Sequence, residues 1–333
     1  MTALSILDLV RVTETTDAKG AIDNARDLAV HAERWGYERF WAAEHHNMVG
    51  IASAATSIVL AHVAAGTKRI RVGSGGVMLP NHAPIVIAEQ FGTLATLFPG
   101  RIDLGVGRAP GTDQHTARAL RRSLEGGDDF PQDVLELQAY FRAARPNQAV
   151  QAVPAAGTNV PIWILGSSTY GAQLAAELGL PYAFASHFAP GMLMSALGIY
   201  RSRFKPSEQL ARPHAAVGVN IIAADTDAEA RRLATTQQMS FVGMFRGTRG
   251  LSQPPIDDID SFWSPVEKAQ AMSMLSRSIV GSRETVRAGI AALVAETQAD
   301  ELMIVSDIYD HAARLRSYEL IAEAAADRRD LAA

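Results

Sequence analysis

Short apolar runs alternate with amphipathic segments along almost the whole chain. Eight of these runs have the continuous apolar character of strands that are buried on both faces. Apolar residues at three- and four-residue spacing fill the segments between them and predict helices. The predicted strands are residues 4–10, 39–43, 70–79, 101–106, 160–165, 182–185, 215–223 and 301–305.

Regular alternation of eight strands with helices predicts a (β/α)₈ TIM barrel of the α/β class. A doubly wound open sheet also alternates strands and helices and is the alternative. No shift in composition divides the chain, so we expect a single domain over residues 1–333. Residues 244–278 are rich in Gly and Pro and are predicted to be irregular. A segment of this length is typical of a lid or insertion before the last strand–helix unit.

The composition is that of an ordinary globular protein, with 48% hydrophobic residues, 20% charged residues and a net charge of -4. Lys and Arg are scattered, so we expect no nucleic-acid partner. The absence of cysteine excludes disulfides, thiolate metal sites and cysteine nucleophiles, and it suits a cytoplasmic location. We find neither a signal-peptide pattern nor an apolar stretch of about 18 residues, so we expect no membrane association.

The second predicted strand ends in a carboxyl group and two imidazoles, those of Glu44, His45 and His46. Barrel enzymes carry out their chemistry at this end of the strands, and histidine transfers protons near neutral pH. Successive strand residues point to opposite faces, so His45 and His46 cannot easily share a metal ion. We therefore interpret the cluster as a proton-transfer site without a metal. Buried, hydrogen-bonded polar groups are the alternative.

Later strand ends offer groups for binding an anion. Arg108 follows the fourth strand, and its planar guanidinium suits a phosphate or a surface ion pair. Residues 166–171 run from the fifth strand into a helix, where backbone N–H groups and hydroxyls can bind an anion or simply cap the helix. Ser282 begins another turn that could bind the anion, because barrels often bind phosphate after their last two strands. The glycines of residues 105–111 lack the spacing of a dinucleotide-binding fingerprint.

The ordered set of motifs resembles the bacterial luciferase-like flavin monooxygenases. The segments are Trp-Ala-Ala-Glu-His-His at 41–46, Val-Gly-Ser-Gly-Gly-Val-Met-Leu-Pro at 72–80, Pro-Gly-Arg-Ile-Asp-Leu-Gly-Val-Gly-Arg at 99–108, the 166–171 turn and Gly-Leu-Pro at 179–181. The resemblance covers nearly the whole chain and is closer to the single-chain luciferase-like oxidoreductase branch than to true luciferase. It implies a (β/α)₈ barrel that uses reduced FMN as a co-substrate.

The resemblance also implies roles for individual residues. The isoalloxazine ring would lie against a non-proline cis peptide between Gly75 and Gly76, which explains glycines that are costly inside a strand. His45 would be the active-site histidine, with Glu44 beside it as a second catalytic group. Gly107 stands where luciferase has a reactive cysteine, which argues against light emission. The remaining cofactor-binding residues implied by the family are Val77, Arg108, Gly166, Ser167, Ser168, Thr169 and Tyr170, which favours this turn over Ser282 for the flavin phosphate.

The implied activity is oxygenation of a small organic substrate by O₂ and reduced FMN. A separate flavin reductase would supply the reduced FMN, since no nicotinamide-binding fingerprint is present. Hydride transfer with the deazaflavin F420 on the same fold is one alternative, and a non-catalytic flavin-binding protein is another. Members of the family are usually homodimers that pack the helices after the second and third strands, and small residues within 53–61 would allow close packing.

Overall fold

The computed structural model describes residues 2–109, 114–121, 129–248 and 250–330, with side chains as far as residue 326. Eight parallel strands follow one another in the order β6-β5-β4-β3-β2-β1-β9-β7, and pairing of β6 with β7 closes the barrel. The predicted TIM barrel is thus confirmed, and the open-sheet alternative is wrong. The strands are β1 (Ala3–Asp8), β2 (Arg39–Ala42), β3 (Arg71–Met78), β4 (Ile102–Gly107), β5 (Ile162–Gly166), β6 (Tyr182–Phe184), β7 (Ala215–Ala223), β8 (Ile279–Gly281) and β9 (Glu301–Val305).

Helices surround the barrel, and several of them, such as α1, α6, α8 and α10, begin at a side-chain cap. The Asp17 side chain accepts from Gly20 N at the start of α1, and Gly36 ends that helix with a φ of 82°. Among the described residues no helix is long and apolar enough to cross a membrane. The helices are α1 (Ala18–Trp35), α2 (Thr56–Gly66), α3 (Pro84–Leu97), α4 (Gln114–Ala119), α5 (Phe130–Phe141), α6 (Thr169–Leu178), α7 (Leu193–Arg203), α8 (Asp227–Arg246), α9 (Pro265–Met274), α10 (Arg283–Thr297) and α11 (His311–Asp330).

Strand alternation divides the core into two parts. Phe40, Val72 and Leu104 belong to the large cluster between the sheet and the helices. Trp41 and Trp163 belong to a smaller cluster inside the barrel, where their rings meet edge to face at 5.1 Å between centroids. Both faces of each strand are therefore apolar, which explains why the strands are continuous apolar runs in the sequence.

A layer of buried charge closes the interior of the barrel at the amino ends of the strands. The Arg39 guanidinium donates to Glu301 Oε1 at 2.6 Å and to Asp103 Oδ2 at 2.7 Å, and it lies 4.8 Å from the Trp163 ring centroid. Burial alone would raise the pKa of Glu301, but the hydrogen bond from His214 and the charge of Arg39 outweigh it and lower the pKa to about 2. This layer fills the end of the barrel opposite the catalytic face.

The segment of residues 244–278, predicted to be irregular, contains more regular structure than expected. α8 continues to Arg246 because Met239 and Val242 keep the helical spacing of buried residues, and Gly247 ends it with a φ of 69°. Ser264 and Glu267 form a capping box that starts α9. The prediction of irregular structure is wrong at these positions. β8, which pairs with β7, is a further strand that the sequence pattern did not predict.

The same segment is tied to the carboxyl end of the barrel. Ser252 N donates to Val12 O at 3.0 Å, and Glu14 N donates to Ser252 O at 3.1 Å. The chain also passes close to the loop after β2, because a Cβ added at Gly50 would lie 2.2 Å from Gly250 O. The segment therefore borders the end of the barrel where the predicted site residues lie.

Candidate active site

The predicted site residues meet at the carboxyl ends of neighbouring strands. The register pairs Ala42 of β2 with Ser74 of β3, Met78 of β3 with Gly107 of β4, and Gly107 with Leu165 of β5. The ends of β2 to β5 therefore form one continuous edge. The polar residues that follow these strands surround a single opening, the mouth of the barrel.

Two glycines allow β3 to pack closely against neighbouring strands at this edge. The Gly75–Gly76 peptide bond is cis, as the family resemblance implied, and β3 shifts register against β4 between Ser74 and Val77. A Cβ added at Gly75 would lie 2.5 Å from Leu7 Cδ1, and one added at Gly76 would lie 2.7 Å from Gly105 O. At Gly76 the added atom would meet backbone, so only glycine fits there, whereas at Gly75 it would require the Leu7 side chain to move.

Gly107 faces open space beside the cis peptide. A Cβ added there would meet no other atom within 4 Å, in contrast to Gly75 and Gly76. The space is of the kind that a flat ring could fill by approaching the backbone. Val77 is buried and packs into the large cluster outside the barrel, so only its backbone is available to a ligand in the mouth.

Arg108 and the start of α6 form a second part of the mouth, suited to a phosphate. The guanidinium of Arg108 lies 4.0 Å from the centroid of the Tyr170 ring, in the first turn of α6. Ser168 caps that helix by accepting from Tyr170 N at 3.4 Å, and the Tyr182 hydroxyl donates to Ser168 O at 3.1 Å. A guanidinium, hydroxyls and the N–H groups of a helix start are the donors that phosphate prefers.

The remaining residues of that turn lie beside these donors. Gly166 ends β5, Ser167 is exposed between strand and helix, and Thr169 is the first residue of α6. The donor set therefore suits a phosphate group, and the open space at Gly107 lies next to it.

The competing turn at Ser282 is occupied by a carboxylate of the chain itself. Asp227 Oδ1 accepts from Ser282 N at 2.6 Å and from Thr285 Oγ1 at 2.9 Å. The backbone hydrogen bond from Ser282, together with Thr285, lowers the pKa of Asp227. A Cβ added at Gly281 would lie 2.6 Å from the same oxygen, so the carboxylate fills the space that a phosphate would need.

Glu44 is joined to two histidines, one of which the sequence did not associate with the site. His46 Nε2 lies 2.7 Å and His82 Nε2 lies 2.8 Å from Glu44 Oε1. Glu44 is only 2% exposed, and burial alone would raise its pKa, but the hydrogen bonds from His82 and His46 outweigh burial and lower it. The position of His82 in the sequence could have indicated this contact. His82 follows β3, and β3 is the neighbour of β2, the strand that leads to Glu44.

These three side chains have the donor types of a divalent metal site, and their ligand atoms lie within 4.8 Å of one another. The separations from Glu44 Oε1 are nevertheless those of direct N–H···O hydrogen bonds. A zinc ion with bonds of about 2.0–2.1 Å would have to push these atoms apart. We therefore describe the cluster as hydrogen-bonded.

His187, which follows β6, is a further imidazole at the mouth. Its ring packs over Gly218, where an added Cβ would lie 2.5 Å from His187 Nδ1. Gly218 faces the barrel interior, two residues after Ala216 of the interior cluster. Asn220 Nδ2 donates to the backbone carbonyl of His187 at 2.5 Å and fixes its position.

Burial, followed by the charge of nearby His45, lowers the pKa of His187 to about 4. His187 is therefore neutral near pH 7. His45 follows β2 and His187 follows β6, so both imidazoles belong to the carboxyl end of the barrel.

The family assignment follows from comparison with known proteins. The model of the luciferase-like monooxygenase family matches residues 2–301. The chain belongs to this family. It is 56% identical over 96% of its length to a luciferase-like monooxygenase of Escherichia coli (strain K12), of which it covers 95%.

Solved structures of other proteins share the fold. The crystal structure of apo-MsnO8 superposes with a TM-score of 0.86 at 34% identity and covers 98% of this chain and 99% of that one. The oxygenating constituent of 3,6-diketocamphane monooxygenase from Pseudomonas putida, in complex with FMN, superposes with a TM-score of 0.71 at 19% identity and 97% coverage of both chains. At that identity the likeness concerns the fold alone.

Proposed function

We propose that this luciferase-like oxidoreductase is an FMN-dependent monooxygenase that oxygenates a small organic substrate. The observation that carries the proposal is the pairing of a phosphate donor set, Arg108 over Tyr170 at the start of α6, with the open space at Gly107 beside the Gly75–Gly76 peptide. The related 3,6-diketocamphane enzyme is described as an oxygenating constituent in complex with FMN, which supports both the cofactor and a separate reductase as its supplier. We propose the cytoplasm as the place where the two meet.

The chain's own residues would bind the cofactor and manage protons and water. Arg108, Ser167 and Ser168 would hold the phosphate, and the glycines would admit the ring. Reduced flavin, when bound, supplies the electrons that activate O₂. His45 would carry a proton to or from the reacting groups. Because the imidazole of His187 is neutral, the positive charge of the transferred proton would lie on His45. The 244–278 segment would act as the lid that excludes water.

Replacing Arg108 by Ala is expected to weaken FMN binding by about 1.5–3 kcal/mol, the worth of a hydrogen bond to a charged group. The measurement is a fluorescence titration of the protein with FMN. Arg142→Ala is the matched control, because Arg142 is an exposed cation paired with Glu208 on the surface. If the Arg108 variant bound FMN as tightly as the wild type, Arg108 would not be a residue that binds the phosphate.

Two alternative functions can be distinguished from the proposed one: hydride transfer with F420 by its cofactor, and non-catalytic flavin binding by kinetics. Preference for F420 over FMN in parallel titrations would favour hydride transfer on the same fold. Stopped-flow oxidation of reduced FMN tests for a binding protein without catalysis. We expect the protein to change the oxidation kinetics, and identical kinetics with and without protein would favour storage or transport of the flavin.

We further propose a homodimer formed through α2 and α3. Ile58 is 71% exposed and Leu97 is 62% exposed, and the Ser57 hydroxyl donates to Gln90 Oε1 at 2.9 Å, which joins the two helices into one surface. Ile58→Glu is expected to shift the mass measured by light scattering from dimer to monomer without changing FMN affinity. Wild-type protein that is monomeric at micromolar concentration would exclude this interface.

A further inference from the structure

The buried carboxylate of Glu44 links two segments of chain that border the mouth. Glu44 and His46 flank His45 after β2, whereas His82 follows β3 and the 3₁₀ turn Leu79–Asn81. Through Glu44 Oε1, the segment that carries His45 is joined to the segment that continues from the glycines of β3.

The protonation of this cluster follows from its geometry. A carboxylate this deeply buried requires hydrogen-bond donors to remain ionised. Each imidazole approaches through Nε2, so each Nε2 must carry a hydrogen to donate to an ionised Glu44. The two hydrogen bonds therefore set one ring orientation for His46 and one for His82, and Glu44 is held from both segments.

We propose that Glu44 and His82 are positioning residues for His45. Two hydrogen bonds fix Glu44 and His46, the neighbours of His45 on either side, so the backbone that carries the His45 imidazole is held in one position. A displacement of about 1 Å at a reacting group can cost about 100-fold in rate, so the anchor matters without touching a ligand. The proposal depends on the proposed function in one respect: it takes from it the role of His45 as the proton carrier.

The first test needs no flavin. The variants are His82→Phe, which removes the donor, and His82→Gln, whose amide N–H can replace Nε2–H. His31→Phe is the control, since His31 lies on α1 and pairs with Asp27. The readout is the ¹H–¹³C resonance of the His45 ring. We expect His82→Phe to shift or double this resonance while His82→Gln and His31→Phe leave it near the wild-type position. An unchanged resonance in a folded His82→Phe protein would overturn the proposal.

The second test uses reduced FMN as the probe. In His82→Phe we expect the pH-dependent phase of reduced-FMN oxidation to slow about 10–100-fold, with FMN affinity kept and most of the rate restored in His82→Gln. Parallel loss of rate and FMN affinity would make His82 a binding residue instead.

A stoichiometric metal in the purified protein that is lost in His82→Phe would show a metal site and would also overturn the proposal. A wild-type protein that leaves reduced FMN unaffected would refute the proposed function, while the resonance test would still decide the role of His82.

Discussion

Replacing Arg39 by Met is expected to lower the free energy of unfolding by about 3–5 kcal/mol, the largest stability effect that we expect from a single substitution. The substitution removes the cation that Glu301 and Asp103 share inside the barrel: Asp103 keeps its ion pair with Arg71, but Glu301 is left buried with only His214 and Ser5 as donors. Methionine is apolar and of similar length, so the loss reports mainly the buried charge of Glu301 without its cation rather than a cavity. The measurement is the midpoint and slope of urea-induced unfolding, with thermal unfolding as a check.

Lys205→Met is the matched control for this prediction. Lys205 and Glu177 form an ion pair on the surface, where both side chains are more than half exposed. Such pairs contribute about 0–1 kcal/mol, so this variant should unfold almost like the wild type. If Arg39→Met lost no more stability than the control, the buried layer would not be what stabilises this end of the barrel.

The Arg39 variant should also change the response to acid. In the wild type the lowered pKa of Glu301, about 2 against 4.5, contributes stability above pH 4.5 that is lost as pH falls towards 2. Without Arg39 this carboxyl group should be protonated at a higher pH. We therefore expect the difference in unfolding free energy between wild type and variant to shrink as the pH is lowered.

Substituting His45 by Ala is expected to reduce oxygenation about 10²–10⁴-fold while FMN affinity stays within about twofold, because a proton carrier contributes to the reaction and not to phosphate binding. The assay is incorporation of ¹⁸O from ¹⁸O₂ into product, measured by mass spectrometry on a substrate found by screening with reduced FMN. His31→Ala is the control. Equal loss of FMN affinity and oxygenation would make His45 a structural or binding residue.

The barrel could be predicted from the sequence because its strands are buried on both faces and are therefore continuous apolar runs. Runs such as residues 215–223 and 301–305 cannot be mistaken for amphipathic helices. β8, with three residues, is too short to show any period. The extension of α8 to Arg246 was missed because glycine at 243 resembles a stop, although Gly247 is the residue that adopts the left-handed conformation.

The site was predictable in its parts but not in its contacts. The resemblance pointed to Arg108 and the 166–171 turn, and the structure brings Arg108 over Tyr170. The contact between His82 and Glu44 spans 38 residues, and that between Asp227 and Ser282 spans 55. Such contacts depend on how the loops fold after each strand, which the pattern of apolar and polar residues does not specify.

The filled turn at Ser282 illustrates the difference between a pattern and a site. Helix starts after late strands are common phosphate sites in barrels, and the sequence alone left Ser282 open on that ground. A carboxylate from the start of α8 already accepts the donors there. The turn after β5 has instead a guanidinium beside it, which adds a donor where a phosphate needs one.

The most direct test of the flavin site is a crystal structure of the protein with FMN. We predict the phosphate between the Arg108 guanidinium and the first turn of α6, and the isoalloxazine ring against Gly75–Gly76 in the open space beside Gly107. A phosphate bound elsewhere, or a ring outside the mouth of the barrel, would contradict this account.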